Sequence, residues 1–460
     1  MTTTRNVIAK ALQYCQPSNK EIKKLITTAN KTKKLVDTYI YSKLPSSKVV
    51  DVVFGGSFAK GTWLKGHADV DIFMKMNPSI SNLEFEQLGR QIGLISLKKY
   101  RPYLRYSAHP YVEACIEGIR INVVPCYDVQ KGKWKSAADR SPFHTDYIIS
   151  NLDDKKKEEV RLLKKFLQCM GTYGSEIATN GFSGYVTEVL ILKYGSFESV
   201  LQTLSNIQKD KNVISIDKVD EDVIKTFQNH NIIIIDPIDP RRNLGTAISA
   251  ENIGRFILAS RAFLKKPSMN FFKEKTRVKK YRILKALYSN LIIIEFKYKK
   301  RSPDIIWGQL KRSLRAISKQ FELAGYKVIR DACITNHKNS AAFVFLLESV
   351  TLSPYFEKYG PDVFRKDTDR FISKNKKKSH LMWINKEMKV VTLVQRRTTD
   401  AKEYIKILLT DKIEYIGITK GLLKDIENTV QVYGGNEQKI SELVKNVVNK
   451  ILTTESLIFQ

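Results

Sequence analysis

The stretch Val49–Phe73, VVDVVFGGSFAKGTWLKGHADVDIF, restricts this chain more than any other. Val49–Phe54 is rich in Val and Phe and predicts a buried strand. It breaks at Gly55-Gly56-Ser57, where small residues let backbone N–H groups and a hydroxyl approach a phosphate. A second strand opens at Asp69-Val70-Asp71. Alternation puts Asp69 and Asp71 on one face and turns Val70 and Ile72 into the core. Two carboxylates on one face repel unless a cation lies between them. A hard divalent ion such as Mg²⁺, which takes oxygen ligands and also holds substrate phosphates, meets that need. Phosphate turn and paired carboxylates together predict two-metal nucleotidyl transfer, for which a neighbouring strand normally supplies a third carboxylate.

Charge points to the partner. The chain has 460 residues and a formal charge of +31, far beyond what solubility requires, so a polyanion is expected. Apolar runs such as Ile232–Ile235 and Leu291–Ile294 are too short to span a membrane. The N-terminus lacks the apolar core of a secretory signal. Cys15, Cys115, Cys126, Cys169 and Cys333 show no zinc-ligand spacing and read as buried thiols in a reducing cytoplasm.

The periodicity predicts an α+β multidomain chain. Residues 19–44 form a helix with Ile22, Leu25, Ile26 and Ala29 on its apolar stripe. Tyr111–Ile116 and Ile119–Val124 form a hairpin around Glu117-Gly118. If that loop has two residues, Ile116 pairs with Ile119 and Glu113 lies opposite Asn122. Their Cβ atoms are then about 4.5–5.5 Å apart on one sheet face. Residues 141–264 are mostly helical, with a strand at Ile232–Ile235. From 265 onward, a β-α-β-β order predicts a small open sheet with helices on one face, an architecture often used on RNA. Its helix carries Trp307, Leu310, Leu314, Ile317 and Phe321 and stops at Gly325. The basic stretches Lys273–Lys280, Lys297–Arg301 and Lys374–Lys378, interleaved with Phe271, Phe272, Tyr281 and Tyr298, are candidate RNA contacts.

Seven segments in order, GSFAKGTWLKGHADVDIF, INVVPCYDV, DRSPFHT, EVRLLKKFL, YGSEIATNGFSGYVTEVLI, DPIDPRRN and WGQLKRSL, resemble the archaeal (class I) CCA-adding tRNA nucleotidyltransferases. The resemblance implies a polymerase-β-like nucleotidyltransferase head (1–140), a helical neck (141–264), and an α/β RNA-binding body and tail (265–460). It implies addition of C, C and A to the tRNA 3′ end from CTP and ATP, without a nucleic-acid template and with Mg²⁺, by a cytoplasmic homodimer. Residue by residue, Asp69 and Asp71 match acidic metal ligands, and Ser57 and Lys60 match the triphosphate-binding Ser and Arg. His144, Lys164 and Tyr173 match residues holding the triphosphate and sugar. Arg242, with Asp239 nearby, matches the arginine that reads the incoming base. Taken singly, these residues read as a capped or core histidine, a solvated lysine, a packing tyrosine and a surface ion pair.

One position departs from the family pattern. Asn122 stands where the third carboxylate belongs; it offers a carbonyl oxygen but no charge. The hairpin register makes Glu113 the candidate replacement, against the plainer reading of an exposed strand glutamate. Two other functions stay open at this point: a tRNA-binding paralogue with weakened catalysis, or another polymerase-β-type RNA nucleotidyltransferase.

Overall fold

The computed structural model describes residues 4–106, 110–209, 211–273, 285–437 and 440–459. It divides into two units, Met1–Arg277 with Glu455–Gln460, and Val278–Thr454.

The first unit begins with helices α1 (Thr4–Cys15) and α2 (Asn19–Lys43), followed by β1 (Val49–Gly55), the short α3 (Gly56–Lys60) and β2 (Asp69–Met76). Next come α4 (Asn82–Ser96), β3 (Tyr103–Tyr106), β4 (Pro110–Ile116) and β5 (Ile119–Tyr127). The five strands form one mixed sheet in the order β1-β2-β5-β4-β3, with β2 and β5 parallel. The hairpin turns at Glu117 and Gly118, whose φ angles are +55° and +81°. Two positive φ values suit the natural right-handed twist of a two-residue hairpin. The register is the expected one, with Ile116 paired to Ile119 and Glu113 to Asn122.

One face of this sheet is apolar. Val70, Ile72, Met74, Val112, Ala114, Ile121 and Val123 form a core with Leu25, Ala29, Val36 and Ile40 of α2 and Phe85 and Ile92 of α4. Ile26, expected on that stripe, is 44% exposed, and Thr28 and Thr32 are buried instead. The stripe of α2 follows the steps 25, 29, 32, 36 and 40, and Ile26 falls beside it.

The chain continues with α5 (Arg140–Asn151), α6 (Asp154–Cys169), α7 (Gly184–Tyr194) and α8 (Phe197–Ser205). Then come β6 (Val213–Ile214), α9 (Glu221–Lys225), β7 (Ile233–Asp236), β8 (Asp239–Asn243) and α10 (Ala250–Lys265). Their core centres on Phe166, which packs against Phe197, Phe256, Phe263, Phe271 and Phe272. Helix α1 joins this core through Val7, Ala11 and Cys15.

The second unit contains β9 (Leu291–Lys297), α11 (Pro303–Ala324), β10 (Val328–Thr335) and β11 (Ser340–Leu347), then β12 (Tyr355–Asp362), α12 (Thr368–Asn375), β13 (Ser379–Ile384) and β14 (Lys389–Gln395). It ends with α13 (Ala401–Asp411), α14 (Ile413–Ile416), α15 (Lys420–Thr429), β15 (Gln431–Gly434) and α16 (Glu442–Leu452). Its main sheet has the order β10-β11-β9-β15. Helices cover both faces rather than one. Leu310, Ile317 and Phe321 of α11 pack with Ile292, Ile294, Phe343 and Phe345. Val444, Val447 and Val448 of α16 pack with Leu291, Ile293, Ala342 and Val344. Strand β11 is apolar on both faces, so each requires a cover. A second sheet, β12-β14-β13, carries α12.

No helix among the described residues is long and apolar enough to cross a membrane. All five cysteines are free; Cys15 and Cys126 are buried, whereas Cys115 is exposed, contrary to expectation.

Candidate active site

The sheet face opposite α2 and α4 carries the candidate residues. Asp69 and Asp71 project there from β2, on either side of Val70, which like Ile72 is fully buried. Gly56 has φ +63°, and a Cβ on it would lie 1.8 Å from Asp71 Oδ2. Only glycine fits this turn, because the carboxylate occupies the space a side chain would take. Ser57 follows in α3.

Across the sheet, Asp69 pairs with Arg120 and Asp71 with Asn122. Arg120 Nε donates to Asp69 Oδ1 at 2.9 Å, and Asn122 Nδ2 donates to Asp71 Oδ1 at 2.8 Å. Asn122 Oδ1 is buried without a hydrogen-bond partner. Burial pushes both carboxyls above the usual aspartate range. Arg120 opposes this at Asp69, and the Asn122 amide opposes it at Asp71. Two desolvated carboxylates beside an unpartnered amide oxygen form an all-oxygen donor set, which fits a hard divalent ion.

Glu113 lies in the same cross-strand row but serves a different purpose. Its carboxylate accepts from Arg105 Nε at 3.1 Å and Nη2 at 3.3 Å, and from the Tyr103 hydroxyl. It is 4% exposed, so the reading of an exposed strand glutamate is also corrected. Among the described residues no three His, Cys, Asp or Glu side chains are grouped closely enough to hold a metal. The register brings Glu113 to the correct face, but β3 supplies Arg105 and Tyr103, and they bind its carboxylate.

Two lysines meet on one acid that the sequence reading missed. Lys60 Nζ lies 2.7 Å from Glu188 Oε2, and Lys164 Nζ 3.1 Å from Glu188 Oε1. Thr62 donates to Glu188 Oε1 at 2.6 Å and accepts from Lys164 at 3.0 Å. Both lysines and Glu188 are buried, so Lys164 is not a solvated helix residue. Burial alone would raise the Glu188 carboxyl, but the two ammonium groups prevail and hold it down to about 2. Tyr173 stands beside them. A Cβ on Gly184 would come within 3.2 Å of the Tyr173 hydroxyl and 3.4 Å of Lys164 Nζ. Burial pushes the Tyr173 hydroxyl up, and the charges of Glu188 and Asp69 add to the effect.

His144, Tyr185 and Arg242 converge on Asp236, a fully buried carboxylate. His144 Nε2 lies 2.9 Å from Oδ2, the Tyr185 hydroxyl donates to Oδ1 at 3.0 Å, and Arg242 Nη1 donates to Oδ2 at 3.2 Å. The His144 and Tyr185 rings are 3.8 Å apart between centroids. Lys60 Nζ lies 5.3 Å from the Tyr185 ring centroid, which joins this cluster to the Glu188 cluster. Arg242 therefore pairs with Asp236 and not with Asp239, whose partner is Arg140 at 2.8 Å. The motif DPIDPRRN contained both acids, but only their tertiary partners, His144 and Tyr185 on Asp236 and Arg140 on Asp239, separate them.

The basic stretches divide differently from expectation. Phe271, Phe272 and Tyr298 are core residues, and Arg301 is tied to Asp425, Gln309 and the Gly421 carbonyl. Of the stretch that begins at Lys273, residues 274–280 lie outside the described residues, as does Tyr281. Lys374 and Lys376–Lys378 are exposed.

A glycine turn seated against paired strand carboxylates, with buried lysines beside it, fits the head of a nucleotidyltransferase. Family models agree along the chain: a nucleotidyltransferase domain at residues 38–149, a tRNA nucleotidyltransferase second domain at 158–273, and a CCA-adding enzyme C-terminal domain at 289–435. The CCA-adding enzyme of Saccharolobus shibatae is 33% identical over 86% of this chain and 92% of its own length. That of Pyrobaculum islandicum is 30% identical over 89% and 94%. A solved structure of the RNA terminal uridylyl transferase Cid1 gives a TM-score of 0.47 at 13% identity, over 60% of this chain and 99% of that one. This chain belongs to the CCA-adding enzyme family. It is a CCA tRNA nucleotidyltransferase, adding C, C and A to the tRNA 3′ end without a template, and neither alternative function is favoured.

Proposed function

We propose that the sheet face around Asp71 is where the tRNA 3′ hydroxyl meets the α-phosphate of CTP or ATP, with pyrophosphate leaving. The observation that carries this reading is the Asp71 carboxylate seated against Gly56 and in register with Asn122. Asp69, Asp71 and the Asn122 carbonyl would hold Mg²⁺, which supplies charge neutralisation at the phosphates and favours deprotonation of the attacking hydroxyl. Ser57 and the N–H groups at the turn face the triphosphate. Lys60 and Lys164 carry two positive charges against the single charge of Glu188, and the surplus attracts the anionic substrate. Tyr173 orients the sugar. His144 and Arg242, fixed by Asp236, hold the triphosphate and read the base. The head comprises residues 1–140 and the neck 141–264; the body and tail, expected over 265–460, is narrowed to the second unit, Val278–Thr454, because Phe271, Phe272 and Leu457 lie in the core around Phe166, and it grips the acceptor arm. Family resemblance supports a homodimer, and the free cysteines fit a reducing cytoplasm.

The test incubates the protein with tRNA lacking its CCA end, labelled CTP and ATP, and Mg²⁺. Incorporation should stop after three nucleotides, fall at least ~100-fold in Asp71→Asn, and rise in Asn122→Asp. Unchanged incorporation in Asp71→Asn would sink the site assignment.

A further inference from the structure

Asp69 and Asp71 lie together with one amide and one guanidinium. Asn122 contributes no charge to Asp71, and Arg120 places a full positive charge on Asp69 at 2.9 Å. The two carboxylates and the guanidinium sum to one negative charge, and Lys60, which shares the single counter-charge of Glu188 with Lys164, also bears on Asp71. Glu113 does not change this sum, because Arg105 neutralises it.

The Arg120 ion pair differs in kind from the lysine pairs nearby. The Arg120 side chain is 54% exposed and Asp69 34%, against 7% for Lys60 and 1% for Lys164. On the β4 side Arg120 pairs with Cys115, which is exposed and offers no charge. The other ionisable groups near Arg120 are Asp71, Glu113 and Tyr111. An arginine so placed can leave Asp69 for water without uncovering any core. Exposed ion pairs are worth little, whereas a divalent ion between two carboxylates gains from both.

We propose that Arg120 is the resting counter-ion of Asp69, displaced when a divalent cation enters, so that the bare protein holds the cation weakly and nucleotide must help bring it in. A cation arriving alone meets two carboxylates, one of them already paired with a guanidinium, and so one net negative charge. A cation arriving on a triphosphate brings its own anionic ligands, and the released Arg120 then faces an anion it can pair with. The inference rests on Asp69 and Asp71 being the metal-binding pair.

The experiment measures binding of Mn²⁺ alone, without nucleotide and at low salt, from the electron paramagnetic resonance signal of the free ion. Arg120→Met should bind Mn²⁺ on the order of tenfold tighter than the natural protein. Arg120→Lys, which keeps a charge, should stay near the natural value. With nucleotide present, the gain in Arg120→Met should shrink. Equal or weaker Mn²⁺ binding in Arg120→Met, with an unchanged melting temperature, would overturn the proposal. Adding Asp71→Asn to Arg120→Met separates the two readings: loss of Mn²⁺ binding keeps the metal pair and isolates the Arg120 question. Retained binding removes the metal pair, and the proposal with it.

Discussion

Glu188 holds two lysines in a place where all three are buried. Replacing it by glutamine leaves Lys60 and Lys164 buried without a counter-charge, a change that typically costs about 3–5 kcal/mol. Glu188→Gln should therefore lower the unfolding free energy of the first unit by that order, measured by urea unfolding. The pH dependence has a definite sign. The carboxyl is depressed from an ordinary 4.5 to about 2 in the fold, so its stabilisation is complete above the unfolded value and lost as pH falls toward 2. Glu188→Gln should flatten that acid limb. Gly56 makes the opposite argument, from space and not from charge. A Cβ there would strike Asp71 Oδ2, at a φ of +63° that costs a side chain about 1–2 kcal/mol. Gly56→Ala should lose at least ~100-fold in nucleotide incorporation while circular dichroism stays native.

At the scale of elements, the β7–β8 hairpin and α5 hold one part of the site between them. Asp236 at the end of β7 holds His144 from α5, Tyr185 from α7 and Arg242 from β8. Asp236→Ala should loosen all three and cost discrimination more than speed. The expected outcome is a fall in the ratio of kcat/KM for CTP and ATP over UTP and GTP on the order of tenfold or more. A uniform loss on all four nucleotides would place Asp236 in scaffolding alone. The β4–β5 hairpin makes a related point. Its turn sets Glu113 opposite Asn122, yet β3 on the far side decides where the carboxylate points.

For the whole molecule, a charge of +31 implies that tRNA binding releases counterions. Affinity should fall steeply as salt rises. Replacing Lys376, Lys377 and Lys378 together by alanine should reduce the log–log salt slope by about 2–3. An unchanged slope would place the tRNA backbone elsewhere. These lysines are exposed, close in sequence to β13, where Leu381 and Ile384 are also exposed.

By itself the sequence determined the elements around the candidate site, the face that Asp69 and Asp71 share, and the family. Alternation assigned Asp69 and Asp71 to one face, the Glu117-Gly118 turn set the β4–β5 register, and motif order gave the family. These properties are local or periodic, and the chain expresses them wherever it packs. Tertiary structure alone decided the partners. Glu188 and Asp236 were inside quoted motifs, but nothing along the chain marks them as the acids on which Lys60, Lys164, His144 and Arg242 converge. Phe271, Phe272 and Tyr298 likewise sit among basic residues in sequence yet are buried in cores. A buried charge must find its counter-charge among whatever the fold brings near, and here the fold brings together residues as distant in sequence as Lys60 and Glu188, 128 positions apart.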